Sequence, residues 1–165
     1  MLEEFMGVPT HPLLVHAAVV FVPLLAVSAV AYAFVPLVRP HLRWVLGLLA
    51  VATPVAALLA KLSGDAFFAR LESGDRISPE FYPKLESHQQ LGNLTLTAAV
   101  LLGLLTLALV YLVAPQPGTD PAGTTRARRV LPQVLAVLTL LAAGASLYYV
   151  MRTGDSGAKA VWTGL

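Results

Sequence analysis

The sequence predicts an all-α fold: a four-helix transmembrane bundle with antiparallel neighbours and both termini on the outer side. Apolar runs cover about 12–38, 44–62, 91–114 and 130–151, with the third helix expected to start near 88. Each is close to the roughly 20 residues that cross a bilayer as a helix. None contains Asp or Glu, and Lys61 stands only at the end of the second. Hydrophobic residues make up 57% of the chain and charged residues 12%. Soluble domains lie near about 45–50% and about 25%, so composition selects the membrane class. At 165 residues the chain reads as a single integral membrane domain, 1–165.

Orientation follows from the basic residues. The loop between the first two spans carries Arg39 and Arg43, and the loop between the last two carries Arg126, Arg128 and Arg129 against Asp120. The other side holds Lys61, Arg70, Arg76, Lys84, Arg152 and Lys159, spread over longer segments and mixed with acids. The raw basic counts nearly tie. The density of Arg in two short loops places that side inward, in a cell membrane crossed four times with the termini extracytoplasmic. The acidic start, Glu3-Glu4, and the length of the first apolar run argue against a cleavable signal peptide.

The elements are justified in order. Thr10 or His11 can cap the first helix, and Pro12 suits a first turn, where its missing N–H costs nothing. Pro23 and Pro54 lie inside the first two spans and each removes a ladder hydrogen bond. Gly47, Ala50, Gly103, Gly144 and Ser146 permit close approach of helices. Ser63-Gly64-Asp65 is expected to end the second helix, with a short interfacial helix over 66–71 and a restart at Tyr82-Pro83. The stretch 115–123 is rich in Pro and Gly and reads as a connector. The fourth helix is expected to end near Arg152, and Tyr148, Tyr149 and Trp162 suit an aromatic belt.

Composition and motifs remove several function classes. With no cysteine there is no disulfide, Cys-ligated cluster, thiol nucleophile or CxxCH haem attachment. Scattered basic residues without an aromatic-interleaved patch exclude a nucleic-acid surface. Ser156-Gly157-Ala158-Lys159 matches S-x-x-K, but the partner motifs and the large soluble domain of those enzymes are missing. P-loop, G-x-S-x-G and H-E-x-x-H motifs are absent, and no carboxylate lies in the spans, which counts against a transporter or proton pump.

Three stretches carry a family resemblance: Pro9-Thr10-His11-Pro12-Leu13-Leu14-Val15-His16; Gly64-Asp65 with His88; and Gly154-Asp155-Ser156-Gly157-Ala158-Lys159-Ala160-Val161-Trp162. In these the chain resembles the DUF2231 family of bacterial four-span membrane proteins, a family of uncharacterised function. Relatives often carry Phe-Pro where this chain has Ala17-Ala18, and many carry His where it has Asp155. Some members are joined to redox domains, so the resemblance implies a link to electron transfer.

The histidines form the candidate site. His11, His16 and His88 are expected at the outer ends of the first and third helices, with Gly92 one turn beyond His88. Two neutral imidazoles from facing helices make a haem b ligand pair. His16 and His88 are the expected axial ligands and Gly92 would relieve crowding beside the macrocycle. Arg70, Arg76 or Lys84 would face the propionates. A single metal ion on His11, His16 and His88 with Asp65 or Glu86 is the alternative cofactor. His11 and His16 lie about 140° apart on a helix at about 100° per residue, so they do not form a helical metal pair, and a His11 ligand would need a non-helical start. A structural role for the histidines is the remaining reading. His41 stands alone on the inner side. Two functions follow. One is a haem b electron-transfer protein, with the bilayer and a redox partner as its surroundings. The other is a non-catalytic structural or accessory subunit of a membrane complex.

Overall fold

The computed structural model describes residues 4–5, 8–74, 77–112 and 126–163. A small antiparallel hairpin pairs β1 (Glu4–Phe5) with β2 (Val8–Pro9). Four long helices follow: α1 (Thr10–Phe34), α2 (Arg39–Ser73), α3 (Tyr82–Leu112) and α4 (Arg126–Thr163). All four are long and apolar enough to cross a membrane. Each packs on its chain neighbours, α4 closes the ring against α1, and α1 meets α3 across the diagonal in a much thinner contact. The start of α1, the α2–α3 turn and the end of α4 therefore share one end of the bundle. The connector 115–123 and Arg76 lie outside the described residues.

The helix ends depart from the apolar runs for local reasons. The first helix stops at Phe34 because Val35 precedes Pro36 and takes extended geometry (φ −117°, ψ 93°), the conformation a following proline imposes. A 3₁₀ turn, Pro36–Val38, then reverses the chain. Arg39 ties this turn: Nε donates to the Tyr32 carbonyl at 3.0 Å and Nη2 to the Ala33 carbonyl at 2.9 Å. Those carbonyls sit at the helix C-terminus, where intrahelical donors run out. Ser63-Gly64-Asp65 does not end the second helix, and no separate helix forms at 66–71: α2 runs unbroken to Ser73. Its extension packs on the start of α3, with Phe68 and Tyr82 rings 5.6 Å apart. The tail after Arg152 is likewise helical, as part of α4. In both cases neighbouring helices offset the poor helix propensity of Gly and Ser.

The core is lined by small residues and hydroxyls. Ala18, Val22, Leu25, Ala26, Ala29, Tyr32 and Ala33 are the buried stripe of α1. Leu48, Leu104 and Leu141 are exposed on the outer surface, as expected where the solvent is lipid. A close seam joins α2 and α3 at Gly103. Pro54 has no N–H, which leaves the Ala50 carbonyl four residues back without its ladder partner. Gly103 packs against that oxygen so closely that a Cβ there would lie 2.6 Å from it.

Two halves of the chain are near-copies in packing. Shifted by a constant 77 residues, the seven buried positions of α1 fall on Thr95, Ala99, Leu102, Gly103, Thr106, Leu109 and Val110, all buried in α3. A shift of 93 carries Leu46, Ala50, Thr53 and Ala57 of α2 onto Thr139, Ala143, Ser146 and Val150 of α4, also buried. The bundle is thus two α-hairpins, α1–α2 and α3–α4, related by a pseudo-two-fold relation, an arrangement common in membrane bundles built from internal repeats.

Candidate functional site: a histidine pair at one end of the bundle

The two shifts bring one histidine from each hairpin to the same place: His11 shifted by 77 is His88. Their rings meet edge to face, with centroids 6.3 Å apart and planes at 81°. Each is half-buried and held by the second helix of its own hairpin. His11 Nδ1 lies 3.0 Å from the Ala60 carbonyl and 3.1 Å from Ser63 Oγ. His88 Nδ1 lies 2.8 Å from Ser156 Oγ.

These bonds assign the tautomers. A carbonyl can only accept, so His11 Nδ1 carries a proton and donates it to Ala60. Ser63 Oγ–H donates to the same carbonyl at 2.8 Å, which leaves its lone pairs to accept from His11. On the other hairpin, Ser156 Oγ–H donates to the Thr153 carbonyl at 2.9 Å, so its oxygen accepts from His88 Nδ1–H. Both imidazoles then carry a proton on Nδ1, and in their neutral form both Nε2 atoms keep a bare electron pair. Histidines that ligate metals are prepared this way, with the remote nitrogen donating to a carbonyl or other acceptor.

A Ser-Gly dipeptide holds the ring in each hairpin. Ser63 and Ser156 accept from the ring nitrogens, and the glycine that follows makes room for the ring. A Cβ on Gly64 would lie 2.9 Å from His11 Cε1, and one on Gly157 would lie 3.0 Å from His88 Cε1. Beyond His88 the polar contacts continue inward. Thr95 Oγ1 and Thr153 Oγ1 are 2.7 Å apart, and they join α3 to α4.

The other expected site residues are placed as follows. His16 is exposed on the outer surface of α1, and its Nδ1 lies 2.5 Å from the Pro12 carbonyl one turn back. It is His11, inside the first turn of a regular helix, that stands beside His88, so no non-helical start is needed. Gly92 is half-buried in α3, with open space where a Cβ would be. Asp65 is engaged at the rim, as the i+4 ion-pair partner of Lys61 and the acceptor for Gln89 Nε2 at 3.3 Å. Among the described residues no group of three His, Asp or Glu side chains is gathered as a metal site. Glu86, Arg70 and Lys84 are exposed, with Lys84 Nζ over the Phe81 ring. Asp155 pairs with Lys159 on the exposed side of α4 at 2.8 Å. Ser156 turns instead to His88, which separates the two ends of the S-x-x-K match. His41 lies exposed at the far end of the bundle, in the first turn of α2.

Sequence reasoning ranked His11 behind His16 and missed the roles of Ser63 and Ser156. A signal for His11 exists: it lies seven residues before Ala18, and the same step reaches the buried Leu25 and Tyr32. Hydropathy could not show this face because α1 is apolar all round. The repeated Ser-Gly, placed near the end of each hairpin, is the signal for the other two.

Residues 7–164 match the family described as "Predicted membrane protein (DUF2231)". Neither a curated protein nor a solved structure matches the chain.

Proposed function

The chain belongs to the DUF2231 family of predicted membrane proteins, and we propose that it is a haem b-binding electron-transfer protein of the bacterial cytoplasmic membrane. His11 and His88 are the residues that would hold the haem. One observation carries this reading: two hairpins present two histidines in the same tautomer, each backed by the same Ser-Gly device. The open space beside Gly92 leaves room next to His88 for the edge of a flat macrocycle.

When bound, haem iron supplies one-electron redox chemistry whose potential depends on axial ligands and burial. The protein's own residues do the rest. His11 and His88 would hold the iron through Nε2. Ala60, Ser63 and Ser156 hold Nδ1 protonated and the rings oriented. Arg39 and Arg43 at the opposite end support an inward orientation of that end, so the histidine end faces outward, where a redox partner would dock.

The test is the absorption spectrum of the detergent-purified protein, as isolated and after haem reconstitution. Soret and α bands are expected in the reduced-minus-oxidised difference. His11→Ala or His88→Ala abolishes them and His16→Ala keeps them. A wild-type protein that stays colourless after reconstitution sinks the haem reading and favours the accessory-subunit one. Loss of the bands in His16→Ala but not His11→Ala would move the ligand to His16.

A further inference from the structure

The two hairpins are alike in packing but not in polarity. At equivalent positions the first carries Ala18, Ala29, Leu46, Thr53 and Ala60, and the second carries Thr95, Thr106, Thr139, Ser146 and Thr153. Hydroxyls therefore concentrate in the α3–α4 half, along the inward faces of both helices.

Most buried hydroxyls of the bundle have a partner in the protein. Thr53 donates to the Phe21 carbonyl at 3.3 Å, Ser63 to Ala60, Thr95 to Leu91 at 2.9 Å and Thr106 to Leu102 at 2.7 Å. Thr139 and Ser146 differ. Both are fully buried, and neither hydroxyl has a hydrogen-bond partner among the described residues; a third such hydroxyl, Thr10 Oγ1, stands apart at the start of α1. A Ser or Thr in a helix can reach a carbonyl three or four residues back, as Thr95 and Thr106 do. These two forgo that bond and sit in the apolar middle of the bundle. A buried hydroxyl left unsatisfied costs about 1–3 kcal/mol, so two of them on one helix face call for a ligand. Enclosure by the bundle restricts that ligand to something very small.

We propose that Thr139 and Ser146 bind internal water, and that the α3–α4 half of the bundle holds a hydrated lane descending from His88. Its order is read along α4: Ser156, which accepts from His88; Thr153, which meets Thr95; then Ser146 and Thr139, each seven residues further down the same face. From Ser156 to Thr139 the helix rises about 25 Å at about 1.5 Å per residue, most of the roughly 30 Å hydrocarbon thickness. Water at each orphan hydroxyl accepts or donates there and completes its two to four bonds on the second lone pairs of inward helix carbonyls. The lane needs no carboxylate. Below Thr10 the α1–α2 half, with alanine or leucine at four of the five equivalent positions, is dry.

The sign of one substitution decides it. Thr139→Val keeps the shape and removes the hydroxyl, and Ser146→Ala does nearly the same. If the lane is dry, both remove an unsatisfied polar group and the thermal midpoint in detergent stays level or rises. If it is hydrated, both strand a water, and the midpoint falls by a few degrees. X-ray-generated hydroxyl-radical labelling reads the water directly. Oxidation of the buried 135–150 segment is expected in the wild type, and its loss in the Thr139→Val/Ser146→Ala double variant. A level or raised midpoint, or no labelling of that segment in the wild type, overturns the lane. Both measurements use the protein without haem, so they fail or succeed apart from the absorption test.

Discussion

Gly103 in the middle of the bundle and Gly64 and Gly157 at its histidine end face nearly the same crowding. A Cβ would meet an atom at 2.6 Å, 2.9 Å and 3.0 Å respectively. The obstacles differ in kind. At Gly103 it is the Ala50 carbonyl oxygen, backbone that cannot move without shifting α2. At Gly64 and Gly157 it is the Cε1 of a histidine ring, which can swing on its side chain. The middle seam therefore uses glycine for closeness of helices, and the histidine end uses it to set the position of an imidazole. Cross-helix polar contacts largely follow the same division, with Thr53 beside the middle seam, which donates to the Phe21 carbonyl at 3.3 Å, as the exception. His11 to Ala60 and Ser63, His88 to Ser156, Gln89 to Asp65 and Thr95 to Thr153 all lie in the half nearer the histidines. Toward the other end, among the described residues, Arg39 ties the turn and Thr106 bonds within its own helix.

The largest effect is expected at the seam. Gly103→Ala should destabilise the bundle by about 1–3 kcal/mol, the usual cost of overpacking, despite a gain in helix propensity of up to about 1 kcal/mol. Thermal unfolding in detergent measures it, and an unchanged midpoint would mean the α2–α3 approach is looser than described. Ser156→Ala comes next. It removes the acceptor for His88 Nδ1–H and should cost about 1 kcal/mol, the typical worth of such a bond. Ser156→Thr, which keeps the hydroxyl, should recover much of it. The ¹⁵N imidazole resonances should show His88 as the Nδ1–H tautomer in the wild type and a mixture in Ser156→Ala. Gly157→Ala should change stability least, because the propensity gain of up to about 1 kcal/mol offsets the ring's displacement. It should nevertheless perturb the His88 resonances, and Gly64→Ala those of His11. If Gly157→Ala unfolded as early as Gly103→Ala, the distinction between the two kinds of glycine would fail.

Much of the fold is legible in the chain alone. Runs of about 20 apolar residues have few alternatives to crossing a bilayer as helices, and the position of His88 at the head of the third helix follows from its place before such a run. The ends are less legible. Val35-Pro36 is a readable stop that the continuing apolar run conceals. The continuity of α2 through Ser63-Gly64-Asp65 is not readable, because local propensity favours a break there and only contact with His11 and α3 reverses it.

The sequence by itself determined four spans, and it placed His11, His16 and His88 at one end of the bundle, because hydropathy and chain alternation are local and directional. Only the tertiary structure decided which histidine faces the partner ring. That choice depends on the rotation of α1 about its own axis. A helix apolar on all sides carries no amphipathic signal for its rotation. The rotation is set by where small side chains let helices approach: Ala18, Ala26, Ala29 and Ala33 turn inward, His11 comes with them, and His16 is left on the outer surface.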